Sequence, residues 1–301
     1  MRARPIAACR GAAAALAAFL LLAACATTRR VDLAGMPPLS QIERELAGRG
    51  PQAFAVEAGA RTGNYGCPVE YELYRPEHPL TESLVVLGHG FAANLTAMRG
   101  WAERWASFGV PTAVPSFCNS TPFAGRHDRN AEDMVILARA LHEGPVVYAG
   151  FSAGGLSALL AAASDPNAVA YLGLDAVDSE TVAADAAAKL TVPALFLMGE
   201  PSSCNAKNNM LPAIPERVGV TALRVRDALH CYFQDPWQRA CESVCGRVAP
   251  PEAAERIADT IRALATAWLL EVTGARPGSE TLVEAAVAGE GDWARRVDPL
   301  Q

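Results

Sequence analysis

No part of the 301-residue chain gathers lysine and arginine into a cluster, and 26 basic against 32 acidic side chains leave a formal net charge of −6 at pH 7. A nucleic-acid backbone finds no basic footprint here, which argues against such a partner. Long apolar runs are scarce too. The apolar segment between Arg10 and Arg29 carries no charge but is too short for a comfortable transmembrane helix. Histidine numbers only five, so any chemistry that needs an imidazole has few residues to choose from.

Arg2, Arg4 and Arg10 precede that apolar segment, which ends in Leu22-Ala23-Ala24-Cys25. A basic start, a short greasy middle and small residues at the end have the layout of a processed export signal. The stretch resembles a bacterial lipoprotein signal. That resemblance implies cleavage before Cys25, lipid on its sulfur and, with Ala26 following, the outer membrane of a Gram-negative envelope. Several acyl chains then anchor stably where one alone binds weakly. Residues 1–24 are expected to be the signal and 25–50 a lipidated tether, where Pro37, Pro38, Gly48 and Gly50 interrupt any apolar period around a short helix at Leu39 to Leu46. The block 51–275 is large enough for one core. A tail over 276–301 follows, with a stretch from Leu282 to Ala288 suited to pack back as a helix.

Within the block, Phe54 to Glu57 and Val69 to Tyr74 read as an antiparallel pair, the second alternating as a half-buried strand does. Leu84 to Leu87 is a continuous apolar run, as expected of a strand buried on both faces, and Val110 to Val114, Val146 to Gly150, Tyr171 to Leu174, Val192 to Met198 and Ala222 to Val225 read as the strands that follow. Helical stripes separate them. Met98, Trp101, Trp105 and Phe108 make one, and Met134, Leu137 and Leu141 another, after a long loop from Pro115 to Arg129. Ala153 to Ala163, Val182 to Leu190 and Pro251 to Val272 supply three more, the last with proline at a tolerated first-turn position. This alternation predicts an α/β fold with a mostly parallel central sheet and helices on both faces.

The run V-V-Y-A-G-F-S-A-G-G, Val146 to Gly155, passes from a β-branched strand through Gly-x-Ser-x-Gly into an alanine-rich helix. Such a turn must be sharp, and its glycines let the backbone fold back so that the Ser152 hydroxyl stands clear of the sheet. The first amides of the new helix then point at whatever the serine attacks.

A serine needs a histidine to accept its proton. His78 sits in a Pro-flanked turn at the opposite sheet end, and His142 ends a helix, where interaction with the C-terminus suffices as explanation. His127 lies among Arg126, Asp128 and Arg129 in a stretch that reads as solvated surface, and His89 belongs to a His-Gly turn. His230, shortly after the last strand, is the preferred base, with His127 the alternative. The imidazole in turn needs a carboxylate. Asp175 follows the strand after Ser152 directly; Glu200 follows the next strand but precedes Pro201, which restricts its backbone; Asp178 doubles as a cap for the following helix. Asp175 is preferred and the other two stay open. The backbone amides of Phe91 and Ala153 are the expected oxyanion hole.

Cys67, Cys118, Cys204, Cys231, Cys241 and Cys245 lie beyond the signal, and an even count in an exported chain favours disulfides. The expected bond joins Cys204 to Cys231 or Cys241, tying together loops around the site. The C-x3-C spacing of Cys241 and Cys245 is not a usual zinc pattern.

Taken together, L-G-H-G-F at 87 to 91, A-S-F-G-V-P-T-A-V-P at 106 to 115, G-F-S-A-G-G at 150 to 155 and L-G-L-D-A-V-D at 172 to 178 resemble the α/β-hydrolases over roughly Phe54 to Val272. They are most similar to the lidless chlorophyllase-like, platelet-activating-factor-acetylhydrolase-like and cutinase-like esterases. In the first two groups the acid follows the strand after the nucleophile, which supports Asp175. Phe151 inside the motif and Cys231 after His230 depart from those groups, so their substrates do not carry over. About 17 residues separate Asp175 from Val192, too few for a cap domain. The cleft is therefore expected to be open, with Phe91, Phe151, Phe123 and Trp237 as candidate walls. The expected activity is carboxylic-ester hydrolysis by Ser152, His230 and Asp175 in a monomer, with no metal or organic cofactor implied. The same triad serves amidases, thioesterases and acyltransferases, and an envelope lipoprotein that keeps the fold for binding alone is the alternative from another class.

Overall fold

Alternation of side chains along the apolar runs sends successive residues to opposite faces, so a strand that is apolar throughout has to be covered on both. The computed structural model describes residues 39–121, 124–237, 239–245, 249–290 and 293–297. Its main strands are β1 (Phe54–Thr62), β2 (Pro68–Pro76), β3 (Leu84–Gly88), β4 (Thr112–Ser116), β5 (Val146–Phe151), β6 (Ala168–Leu174), β7 (Ala194–Met198), β8 (Val220–Val225) and β9 (Ala294–Arg296). They form one nine-stranded sheet in the order β1-β2-β4-β3-β5-β6-β7-β8-β9. From β4 across to β8 every neighbouring pair is parallel, while β1, β2 and β9 add antiparallel pairings at the two edges.

Helices cover both faces, as the strands require. Val85, Leu87, Val147, Ala149, Leu195 and Leu197 pack on one side with Trp101 and Trp105 of α2 (Arg99–Ser107) and with Ile257, Ile261 and Leu264 of α7 (Pro251–Val272). Leu84, Val86, Val146, Tyr148 and Phe196 pack on the other with α3 (His127–Leu141), α4 (Ala153–Ser164) and α5 (Ala183–Lys189). Both tryptophans are fully buried, and loss of such a ring costs about 3–5 kcal/mol.

The body extends beyond residues 51–275. α1 (Gln41–Ala47) begins with a reciprocal capping box between Ser40 and Glu43 and buries Leu46 in the same core as α7. At the other end, α8 (Thr281–Val287) contributes Val283 and Ala286 to that core, and β9 closes the sheet against β8. α3 starts at His127, earlier than its apolar stripe, and a two-residue hairpin pairing Ser120–Thr121 with Ala124–Gly125 occupies part of the preceding loop. Cys25 lies outside the described residues.

The disulfides correct the expected pairing. Cys67 is bonded to Cys118, Cys204 to Cys245 and Cys231 to Cys241. Cys241 and Cys245 lie one turn apart at α6 (Arg239–Val244), which therefore holds the Cys204 loop with one sulfur and the Cys231 turn with the other. Spacing along the chain does not encode that division.

The winding of the chain reverses at β3: β4 lies on one side of it and β5 on the other. Open α/β sheets offer a crevice at such a reversal, outside the carboxyl ends of the strands. Gly88 pairs with Gly150 and Gly150 with Gly173, so β3, β5 and β6 end in one row. The residues next in the chain emerge together: His89-Gly90, Ser152 and Asp175.

Candidate active site

Two of the glycines around Ser152 are there because nothing larger fits. A Cβ on Gly150 would stand 2.2 Å from the Gly154 carbonyl oxygen, and one on Gly154 would stand 2.3 Å from that of His89. Strand, turn and helix are thus pressed together. Ser152 takes φ +55° and ψ −123°, a conformation that costs a non-glycine residue about 1–3 kcal/mol and persists only when its surroundings impose it. They do so here: its amide donates to Leu174 O at 3.1 Å, and its carbonyl accepts from Gly155 at 2.9 Å and Val177 at 3.1 Å.

His230 opens a short 3-10 turn, His230–Phe233, that is pinned from below. Trp101 Nε1 donates to Phe233 O at 2.9 Å, the Asp235 amide donates to Ala97 O at 3.0 Å, and Gly100 donates to Asp235 O at 2.8 Å. These bonds tie the histidine turn to α2. The Phe151 ring lies 4.6 Å from the imidazole, centroid to centroid.

The imidazole spans the gap between the other two residues. His230 Nε2 is 3.0 Å from Ser152 Oγ and Nδ1 is 2.7 Å from Asp175 Oδ2. A carboxylate only accepts, so Nδ1 carries the proton and Nε2 offers its lone pair to the serine O–H. All three residues are buried, where such bonds weigh more than in water.

Asp175 is itself held from two sides. Its Oδ1 accepts from Gly199 N at 2.9 Å, and Asn205 Nδ2 donates to Oδ2 at 3.1 Å while also reaching Glu200 O at 2.9 Å. Asn205 is fully buried. Reading the sequence missed it, since its asparagine-rich stretch signals only a turn. The competing carboxylates have other tasks: Asp178 Oδ1 accepts from Ser179 and from Ala183 N at the start of α5, and Glu200 Oε1 accepts from Asp227 N. Neither has a hydrogen bond to His230 among the described residues.

Beside Ser152, the Ala153 amide opens α4 and so has no partner within the helix. Phe91 follows the turn that His89 locks. Because Phe117 N–H donates to His89 Nε2 at 2.9 Å, the ring proton is on Nδ1, which donates to Gly90 O at 2.8 Å. Burial lowers the His89 pKa, in keeping with a neutral ring.

A cleft of about 370 Å³ opens in front of Ser152, with Phe91, His127, Val177, Asp178, Glu180 and Cys204 in its walls. Phe91 is 43% exposed there. Two of the aromatic walls expected from the sequence are corrected. Phe151 is 3% exposed and supports His230 instead of facing the cleft. Trp237 is not among the lining residues; it packs edge-on against Tyr232 at 5.1 Å. Phe123 lies outside the described residues. His127 is corrected as well: it belongs to the cleft wall and not to a solvated surface, and burial lowers its pKa.

The fold and these contacts define a mixed α/β protein with an open, mostly parallel sheet and a hydrogen-bonded serine, histidine and aspartate at its carboxyl edge. No family model matches the chain, and no curated protein matches its sequence.

Proposed function

We propose that this protein is a serine esterase of the α/β-hydrolase kind, lacking a cap domain and lipid-anchored to the cell envelope through Cys25. The observation that carries the reading is the unbroken chain from Ser152 Oγ through both nitrogens of His230 to Asp175, with the serine on a strained strand-to-helix turn. Ser152 Oγ attacks the ester carbonyl while His230 Nε2 takes its proton. The oxyanion that forms is received by the Phe91 and Ala153 amides. The imidazolium, stabilised by Asp175, gives the proton to the departing alkoxide and leaves an acyl group on Ser152. Water then repeats the cycle with His230 as base and frees the acid.

A cleft of about 370 Å³ suits a small or exposed acyl group better than a long chain. The carboxylates of Asp178 and Glu180 in its wall disfavour anionic substrates. The lipobox-like Leu22-Ala23-Ala24-Cys25 supports an envelope location, with the outer membrane favoured by Ala26. A p-nitrophenyl ester series tests the reading. Turnover is expected with acetate and butyrate and should rise less than about tenfold from butyrate to octanoate, because methylenes that reach past the walls gain none of the binding that a fitted pocket gives. Ser152→Ala should remove it. No turnover with any neutral ester, or turnover that survives Ser152→Ala, would contradict the reading.

A further inference from the structure

Two of the three disulfides touch. Cys245 Sγ, bonded to Cys204, lies 3.5 Å from Cys231 Sγ and 3.8 Å from Cys241 Sγ of the other bond. Crosslinks that served only to close loops would not need to meet. In contact, each has a sulfur of the other within 3.8 Å, side-on to its bond while both are closed, so a thiolate released from one need only swing into line with the other to attack it. The sulfurs also differ in access: Cys231 and Cys245 are buried, whereas Cys204 is only partly buried and lines the cleft with Ser152. Both bonds end at the site. Cys231 follows His230 in the chain, and Cys204 precedes Asn205, which donates to Asp175.

We propose that Cys204, Cys231, Cys241 and Cys245 form a thiol–disulfide exchange site that takes a small thiol or dithiol through the cleft and thereby regulates the esterase. The thiolate attacks Cys204 Sγ, forms a mixed disulfide there and releases Cys245 as a thiolate. Cys245 then attacks Cys231 Sγ, forming Cys231–Cys245 and releasing the Cys241 thiolate, which takes up the proton that the incoming thiol gave up. One disulfide is broken and one formed in each step, so electrons balance. A dithiol goes further and reduces Cys204 with its second sulfur, leaving as its own cyclic disulfide. In the rearranged protein Cys204 is no longer tied to α6. The loop carrying Asn205 relaxes and Asp175 loses the donor that shares Oδ2 with His230. Cys67–Cys118 is the internal control, since neither of its sulfurs has a contact with a second disulfide among the described residues.

The regulatory half of this proposal rests on the esterase reading; the exchange half does not. The test is graded dithiothreitol on the intact protein, an alkylating quench and non-reducing peptide mapping, with p-nitrophenyl acetate turnover and far-ultraviolet circular dichroism followed in parallel. Expected are joint loss of Cys204–Cys245 and Cys231–Cys241 at one midpoint, a transient Cys231–Cys245 peptide, and retained secondary structure. Turnover should fall at that midpoint by about 10- to 100-fold, the loss typical of a displaced catalytic group. In a Cys204→Ser/Cys245→Ser double variant, Cys231–Cys241 should withstand the dithiothreitol that opens it in the wild type. Independent opening of the two bonds with native pairs alone at every stage would overturn exchange, as would an equally sensitive Cys231–Cys241 in the double variant. Exchange with unchanged turnover would overturn the regulation. Exchange in a protein whose oxidised form hydrolyses no ester would uphold the site and defeat the esterase reading instead.

Discussion

Asp175→Asn is expected to lower p-nitrophenyl acetate kcat by about 10,000-fold, the loss that this change produces where a carboxylate fixes a catalytic histidine. The reason lies in which atoms surround the carboxyl group. Donors face both carboxylate oxygens, Gly199 N–H at Oδ1 and Asn205 Nδ2 beside His230 Nδ1 at Oδ2, so an asparagine that keeps the shorter Gly199 bond with its oxygen turns its amide nitrogen toward His230 Nδ1 and Asn205 Nδ2. A donor facing Nδ1 forces the ring proton onto Nε2. The imidazole then has no lone pair for the Ser152 hydroxyl, although every heavy atom stays in place. Glu200→Gln keeps the oxygen that accepts from Asp227 N and should stay within about twofold of the wild type. Steady-state kinetics on the two variants checks this, and a reversed pattern would move the acid to Glu200.

Asp235→Ala should be among the substitutions most damaging to stability. Asp235 sits between Arg104 of α2, at 2.9 Å, and Arg262 of α7, at 3.3 Å, and all three side chains are about nine-tenths buried. Removing one partner leaves two guanidinium groups facing each other with little water, which costs about 3–5 kcal/mol. In a domain of this size each kcal/mol lowers Tm by about 2–4 °C, so a drop of about 10 °C is expected in a thermal melt. Arg262 keeps Glu255 and Asp259 as partners, whereas Arg104 keeps the Gly48 carbonyl alone among the described residues, so local opening should begin where α2 meets the turn after His230. A melt within about 2 °C of the wild type would show that relaxation and water replace the carboxylate at little cost.

The middle of the sheet was legible because β3, β5 and β7 are compact apolar runs and the helices around them carry apolar stripes at helical spacing. β9 was not, since its three residues are Ala294, Arg295 and Arg296 and both arginines are exposed. An edge strand that buries one alanine leaves no pattern to read. Ser152 stood out through its glycines, and His230 by elimination among five histidines. The acid was harder to choose because Asp175 and Glu200 both follow strands. What separates them is the loop that wraps Asn205 behind Asp175, wound through left-handed turns at Ala206, Lys207 and Asn208. Alanine and lysine do not announce that conformation. Phe151 and Trp237 show a related limit: a large aromatic near a site packs as readily beneath a catalytic ring or against a neighbouring tyrosine as along a substrate.

Active-site labelling tests the central claim most directly. A fluorophosphonate needs a serine whose proton has somewhere to go and an oxyanion site for its phosphoryl oxygen, and it needs no knowledge of the natural ester. Incubation of the folded protein followed by peptide mass mapping is expected to give one adduct, on Ser152, absent from Ser152→Ala and strongly slowed in His230→Ala. A protein with intact circular dichroism that takes no label, or that takes it on another serine, would contradict the account.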